Sequence, residues 1–296
     1  MQKTATIKPW SCVLQVSSHM AARYVDLHVH SWHSDGTMSP ADIVAEAQEH
    51  NVGILAISDH DKLEGGRELL QLCKNTNIRA IPAVEIDTYD TGINFHFHIL
   101  GYNVDLDNAA FIAFAAQARQ ALDHGSDVLI GAMMRDFPQL SLEEFAVFEM
   151  PKGGGGWPML HYLLARGVTT QLKEGMRFYP QYNVGYDING FPDVETTCRA
   201  IHAAGGKAII AHPGDYPEIP PEQFKDTLHH LIDCGIDGIE AFYPAYSSQV
   251  TADCLAVCND RKLLVTCGSD CHGSFNKTHI GELPVTLDML RLDGIL

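Results

Sequence analysis

Apolar and polar positions alternate along YVDLHVH (24–30), where Val25, Leu27 and Val29 are interleaved with Asp26, His28 and His30. Strand side chains point alternately to two faces, so the pattern predicts an aliphatic face against a core and a face carrying two imidazoles and a carboxylate. The next stretch, SPADIVAEAQEHNVG, changes to helical spacing. Ser39 is the N-cap, Pro40 takes the first helical position, Asp42 lies three residues past the cap, Ile43, Val44 and Ala47 share a face, and Gly53 ends the run. ILAISDHD (54–61), IRAIPAVEID (78–87) and NFHFHILGY (94–102) read as further strands, with ELLQLCKNTN a helix after the first of them.

The resulting order, β, α, β, α, β, β, predicts a mostly parallel sheet, because parallel neighbours need crossover connections. The rhythm returns after residue 190. FPDVETTCRAIHAAGG, PEQFKDTLHHLIDCG and VTADCLAVCNDRK read as helices, alternating with the strands KAIIAHPG, IDGIEAFYP and LLVTCGSDCHG. Polar residues gather where each strand runs out, which is where α/β barrels place their active sites. Residues 105–190 break the pattern, with helical DNAAFIAFAAQARQALDHGSDVLIGAMM and SLEEFAVF and a glycine turn, PKGGGGWP. The expected organisation is an N-terminal extension (1–22), a catalytic barrel (23–104 and 191–296) and a mainly helical insertion (105–190) capping the barrel mouth. The four glycines lack the Lys-Ser/Thr of a phosphate loop and are read as a linker.

Composition narrows the classes. The 296-residue chain is 46% hydrophobic, enough for one large α/β domain or a core with an insertion. Its net charge of −17 disfavours binding to duplex nucleic acid or to anionic membranes, which depends on Lys and Arg meeting phosphate. An anionic substrate therefore needs local cations, and 16 histidines in short, dense clusters make bound metal ions a source of them. The eight cysteines form no C-x-x-C pair, which predicts reduced thiols and a cytoplasmic protein. No run approaches the roughly 18 apolar residues that span a bilayer. Lys3, Lys8 and WSCVLQV sketch a signal peptide, but Gln15, Ser17 and Ser18 interrupt it; Met20 is a candidate natural start.

His28, His30, Asp35, His60, Glu85, His98, His212, Asp270 and His272 all fall at or just past predicted strand ends, which a barrel brings to one rim. The motifs DLHVHSWHSDG, AISDHDKLEGG, AVEI, HFHILGY, AIIAHPG and GSDCHG together resemble those of the PHP (polymerase and histidinol phosphatase) family. The resemblance covers roughly residues 24–104 and 191–282. It is nearest to the stand-alone metal-dependent phosphoesterases, which include nucleoside 3',5'-bisphosphate phosphatases and 5'-3' exoribonucleases of short RNA. It implies an α/β fold, a distorted (β/α)7 TIM-like barrel, with two or three divalent ions, Mn, Zn or Fe. One ion would lie on His28, His30, Glu85 and Asp270; a second would share Glu85 and add His98 and His212; a third would take Asp35, His60 and His272. A mixed imidazole and carboxylate set suits these metals better than calcium, and a carboxylate can bridge two cations.

Asp26 and Asp59 are candidates to orient ligand histidines, His33 and His96 are alternative ligands, and Glu240 could lie beneath the metals. The expected reaction is hydrolysis of a small phosphate ester, a nucleotide bisphosphate, sugar phosphate or cyclic phosphodiester, by hydroxide generated between two cations. Glu85 and Asp270 organise that attack, and His272, if it does not ligate, assists the departing alkoxide. No Ser-His-Asp set or Cys nucleophile competes. Phosphate contacts would come from Arg177 and Arg166, with Lys152 and Lys207 also candidates. In the bisphosphate phosphatases an Arg-Pro-His element follows the glycine turn. Here Trp157 and Met159 replace the Arg and the His, which weakens transfer of a nucleotide substrate. The alternatives are a histidinol phosphatase, a C–N hydrolase, for which no bridging Lys is present in the motifs, and a non-catalytic metal-binding module.

Overall fold

The computed structural model describes residues 23–188, 190–216 and 219–296, so the signal-like stretch and the Met20 start lie outside the described residues. In chain order the elements are β1 (Tyr24–Asp26), α1 (Pro40–Glu49), β2 (Val52–Ile57), α2 (Glu64–Leu72), β3 (Arg79–Asp90), β4 (Phe95–Tyr102), α3 (Ala109–Met133), α4 (Leu142–Phe145) and α5 (Pro158–Ala165). They continue with α6 (Phe178–Gln181), α7 (Val194–Ala203), β5 (Lys207–Ile210), α8 (Phe224–Asp233), β6 (Gly238–Phe242), α9 (Ser248–Arg261) and β7 (Leu264–Cys267). α1 starts as its sequence predicts. The Ser39 hydroxyl accepts the Asp42 N–H, and the Asp42 carboxylate accepts the Ser39 N–H, both at 3.1 Å.

The seven strands form one sheet in sequence order. Neighbours are parallel except around β4, which is antiparallel to both β3 and β5 because a direct hairpin leads into it. The two edges of the sheet are tied beyond β1 and β7. The Leu27 N–H donates to the Cys267 carbonyl (3.2 Å), Asp270 N–H to His28 (2.8 Å) and His30 N–H to Cys271 (2.9 Å). The fold is therefore a seven-stranded α/β sheet consistent with the expected distorted barrel.

One apolar cluster draws on Val25, Leu27, Ile54, Ala56, Ile81, Ala83, Leu100, Tyr102, Ile209 and Ala211 and on the C-terminal segment, but, among the described residues, on none of α1 to α9. Helices α1 and α2 pack on the other face of the sheet, and α3, α7, α8 and α9 form a further cluster there. Tyr102 is fully buried and its hydroxyl donates to the Leu27 carbonyl at 3.0 Å, joining β4 to the segment that carries His28. Tyr102→Phe strands that carbonyl and is expected to cost about 1–2 kcal/mol in a urea unfolding curve. An unchanged midpoint would refute that role.

The alternation at 24–30 does not persist as a single strand. Val25 and Leu27 lie in the inner cluster, whereas Val29 packs with Ile43 and Ile57 on the outer side. After Asp26 the chain gains the 267–271 segment on one side while the Val29 carbonyl still accepts the Ser58 N–H (2.9 Å) on the other, and the facing of Val29 differs from that of Val25 and Leu27. Asp26 consequently does not join the histidine side chains.

Apolar contacts in 105–190 divide within α3. Phe111, Ala115 and Ala118 belong to the sheet's outer cluster, while Leu129, Ile130 and Met133 join Phe145, Met159, Leu160, Tyr162 and Phe178 in a separate one. The glycine turn is a packed crossing rather than a free linker. Gly155 and Gly156 both adopt φ near +70°, and a Cβ on either would meet the Phe275 ring within 3.0 Å. No helix among the described residues is long and apolar enough to cross a membrane.

Candidate metal centre

The strand register builds the site. Glu85 and Asp87 are two apart on β3, His96 and His98 two apart on β4, and Asp87 stands directly opposite His98. His28 and His30 arrive from the segment after β1, His60 from the chain after β2, bridged to Glu85, His212 from the end of β5, and Asp270 and His272 from beyond β7. All nine expected residues are brought into one cluster, most of them deeply buried. Two of them hold unusual backbone: Asp270 has φ 52° and His212 φ 28°. Backbone held in this sparsely populated region is commonly stored at functional sites. Gly268 permits the approach of the last strand, since a Cβ there would lie 2.1 Å from His28 Cβ.

The donor atoms converge at metal-ligand spacing. His28 Nε2 lies 3.1 Å from His30 Nε2 and from Glu85 Oε2, and 3.4 Å from Asp270 Oδ1. His30 Nε2 is 3.1 Å from Glu85 Oε2 and from Asp270 Oδ1. Four donors around one divalent ion with bonds near 2.1 Å stand roughly 3.4 Å apart, so this set fits such an ion. The other Glu85 oxygen, Oε1, is 3.1 Å from His98 Nδ1 and 3.2 Å from His212 Nε2. His30, Asp35, His60 and His272 make a third donor group, with His272 Nε2 3.1 Å from Asp35 Oδ2. The buried His212 Nδ1 makes no hydrogen bond.

Orientation comes from behind these donors. His28 Nδ1 faces Glu240 Oε1 at 3.1 Å, and the same carboxylate accepts the His212 N–H at 2.8 Å. The His272 Nδ1 lies 2.9 Å from the Asp270 carbonyl, leaving Nε2 to face Asp35. Glu240, in the middle of β6, thus positions two histidines. Asp26 and Asp59 face no imidazole nitrogen: Asp26 accepts the backbone N–H groups of His28, Ser269 and Gly281, and Asp59 accepts from Ser31 and Ser34. Glu240→Gln is expected to weaken metal binding about 10- to 100-fold in a chelator-competition titration; unaltered affinity would exclude the positioning role.

Charge balance explains the electrostatics. Burial opposes protonation of His28, but the carboxylates of Glu85, Glu240 and Asp270 hold its pKa well above the ordinary value. His30 is likewise raised to about 9, against burial, by Asp270 and Glu85. Burial opposes the charge of Glu85, yet His28, His60 and His98 hold it well below the usual carboxylate range. Burial dominates at His98 and lowers it to about 4.

Asp87 is a further buried member that the motif reading missed. Its oxygens lie 3.2 Å from His60 Nδ1, 2.9 Å from His96 Nε2 and 3.3 Å from His98 Nε2. The signal was available, since Asp87 repeats the two-residue period of Glu85 along β3. His96 is held by Asp87 and stacked on Tyr186 at 3.9 Å, and His33 turns away to Glu68.

A cavity of about 620 Å³ opens onto the cluster, lined among others by Arg119, Trp157, Lys173, Tyr186, Tyr216 and Phe275. The expected phosphate contacts Arg166 and Arg177 do not line it. Arg166 pairs with Glu144 at 2.8 Å, and Arg177 lies over its neighbour Phe178. Lys152 lies over Trp32, and Lys207 reaches Asp237. Among the described residues, the Arg and Lys side chains that line the cavity are Arg119, from α3, and Lys173.

The PHP domain pattern matches residues 26–145. Over 206 residues the chain is 33% identical to the 5'-3' exoribonuclease of Haemophilus influenzae, covering 67% of this chain and 71% of that one. It is 25% identical over 264 residues to the phosphoribosyl 1,2-cyclic phosphate 1,2-diphosphodiesterase of Eggerthella lenta, covering 86% and 97% of the two chains. A solved structure from Bifidobacterium adolescentis shares the fold with a TM-score of 0.72 at 24% identity, over 90% of this chain and 94% of that one. With its donor sets, fold and relatives in agreement, the chain belongs to the PHP family and is a metal-dependent phosphoester hydrolase.

Proposed function

We propose that His28, His30, Glu85 and Asp270 hold one divalent ion, that Glu85, His98 and His212 hold a second, and that Asp35, His60 and His272 hold a third where three are bound. The observation that carries this is Glu85: one carboxylate presents Oε2 to His28 and His30 and Oε1 to His98 and His212. Manganese, zinc or iron suits the donors. Such ions supply Lewis-acid polarisation of phosphoryl oxygens and lower the pKa of water.

The substrate we favour is a small ribose-based phosphate ester: a cyclic phosphodiester, nucleotide bisphosphate or sugar phosphate. The E. lenta relative is named for a phosphoribosyl cyclic phosphate and the H. influenzae relative for RNA, and both contain ribose phosphate. Arg119 and Lys173 would meet a phosphate away from the metals, and Trp157, Tyr186 and Tyr216 would cover the sugar or base. Trp157, standing where the bisphosphate phosphatases carry Arg, offers a flat apolar wall instead of a charge. We read the cluster built from the second half of α3 through α6 as a cap on this cavity. Reduced cysteines, seven of them described and all unpaired, favour a cytoplasmic setting.

The test is a panel of ribose 1,2-cyclic phosphate 5-phosphate, nucleoside 3',5'-bisphosphates, short 5'-phosphorylated RNA and sugar phosphates. Chelated enzyme is assayed with Mn²⁺ restored. Turnover of at least one ribose ester is expected, and Arg119→Ala should raise its KM about tenfold or more with a smaller change in kcat. Retained metal with no turnover of any panel member would overturn the proposal.

A further inference from the structure

A second group of ligating side chains lies on the opposite face of the β3–β4 hairpin. Asp90, the last residue of β3, is out of phase with Glu85 and Asp87, so its side chain meets α8 rather than the cavity. His230 and Cys234 are four residues apart, at the end of α8 and its C-cap, and therefore share a helix face. Asp90 Oδ2 lies 2.9 Å from His230 Nε2, and Cys234 Sγ lies 3.9 Å from the same nitrogen. The carboxylate is fixed in this pose because Oδ1 accepts the N–H groups of Gly92 (2.8 Å) and Ile93 (3.0 Å).

We propose that Asp90, His230 and Cys234 form a peripheral site for one zinc-like divalent ion, with water completing the coordination. Three donors of three kinds have their ligand atoms within 4.8 Å of one another. Carboxylate, imidazole and thiolate around tetrahedral zinc stand about 3.3–3.6 Å apart, a spacing bracketed by the two observed here and reached by small side-chain rotations. The setting favours a cation. The site lies at the C-terminal end of α8, where the helix dipole is negative. Burial and the charges of Asp90, Glu195, Asp193 and Asp233 raise the Cys234 thiol. Binding releases the thiol proton to solvent and forms one sulfur–metal bond, with no change of oxidation state. The ion would clip α8 to the hairpin whose inner face carries Glu85, Asp87, His96 and His98.

The donors of the candidate metal centre include no thiol, so sulfur ligation separates this site from that centre, and the Cys234 variant assigns the sulfur. Full-length protein saturated with Mn²⁺ is titrated with Co²⁺. A thiolate-to-cobalt charge-transfer band in the near ultraviolet is expected at one equivalent. Cys234→Ser and His230→Ala should each abolish the band while keeping Mn²⁺-dependent turnover within about twofold. No band in the wild-type protein, or a band that survives Cys234→Ser, would overturn the site. If either variant fails to fold, maleimide labelling of the wild-type chain, mapped by mass, decides. Zn²⁺ should slow modification of Cys234 about tenfold or more, and an unchanged rate would overturn the proposal.

Discussion

Glu85→Gln is expected to lower turnover by about a thousandfold or more and to remove at least one bound ion. The carboxylate is wholly buried and faces five imidazoles, those of His28, His30, His60, His98 and His212, through its two oxygens. An amide of the same shape keeps the packing but loses the charge that would balance the two proposed cations and offers only one oxygen. Metal ions in such centres supply several kcal/mol of transition-state stabilisation, and about 4 kcal/mol corresponds to three powers of ten in rate. Elemental analysis and steady-state kinetics on the variant check both halves. Turnover within tenfold of wild type at full metal content would remove Glu85 from the bridging position and the two-ion arrangement with it.

The second large effect is a reversal of the pH dependence of stability by metal. In the metal-free protein His30 has its pKa raised to about 9, and His28 and His60 are raised well above their ordinary value. A raised histidine stabilises the fold fully below its unfolded pKa of about 6.5, and that contribution disappears as pH rises through the folded value. For His30 alone the interval corresponds to about 3 kcal/mol. The carboxylates of Glu85, Asp87 and Asp270, held low by their imidazoles, and His98, lowered to about 4 mainly by burial, act in the other direction. Their contributions are present at neutral pH and are lost on acidification. The Tm in chelator should therefore peak near pH 6 and fall steadily toward pH 9. A metal ion must displace the imidazolium protons to bind, so its affinity and the stabilisation it provides grow over the same range. The difference in Tm between Mn²⁺-loaded and chelated protein is expected to widen from pH 6 to pH 9. A chelated protein that holds or gains stability toward pH 9, or a metal increment that shrinks, would contradict this electrostatic picture.

Much of the fold was legible because its signals are local. The capping box of α1, the period-two runs of β3 and β4 and the polar stops after β2, β5 and β7 each occupy a few consecutive residues. Each of those elements is present in the structure. The segment at 24–30 shows the limit of such reading. Its alternation is real in composition, but after Asp26 the backbone also bonds the 267–271 segment, and no local pattern encodes the identity of a partner some 240 residues away. The phosphate-binding cations failed for a related reason. Arg166 and Arg177 lie near the glycine turn in sequence, yet Arg119 from α3 reaches the cavity, because the packing of the separate apolar cluster decides which side chains face it.

Residue order alone therefore determined the strand-and-helix rhythm and the set of imidazoles and carboxylates delivered to the strand ends, since both depend on short-range periodicity. Only the tertiary structure decided which donors lie within reach of one another, that Glu85 presents one oxygen to His28 and His30 and the other to His98 and His212, that Glu240 steers His28 from 212 residues away, and that Asp87 belongs with them. Those outcomes rest on closure of the sheet and on distances of about 3 Å between atoms remote in the chain, which the folded packing sets and the local sequence does not specify.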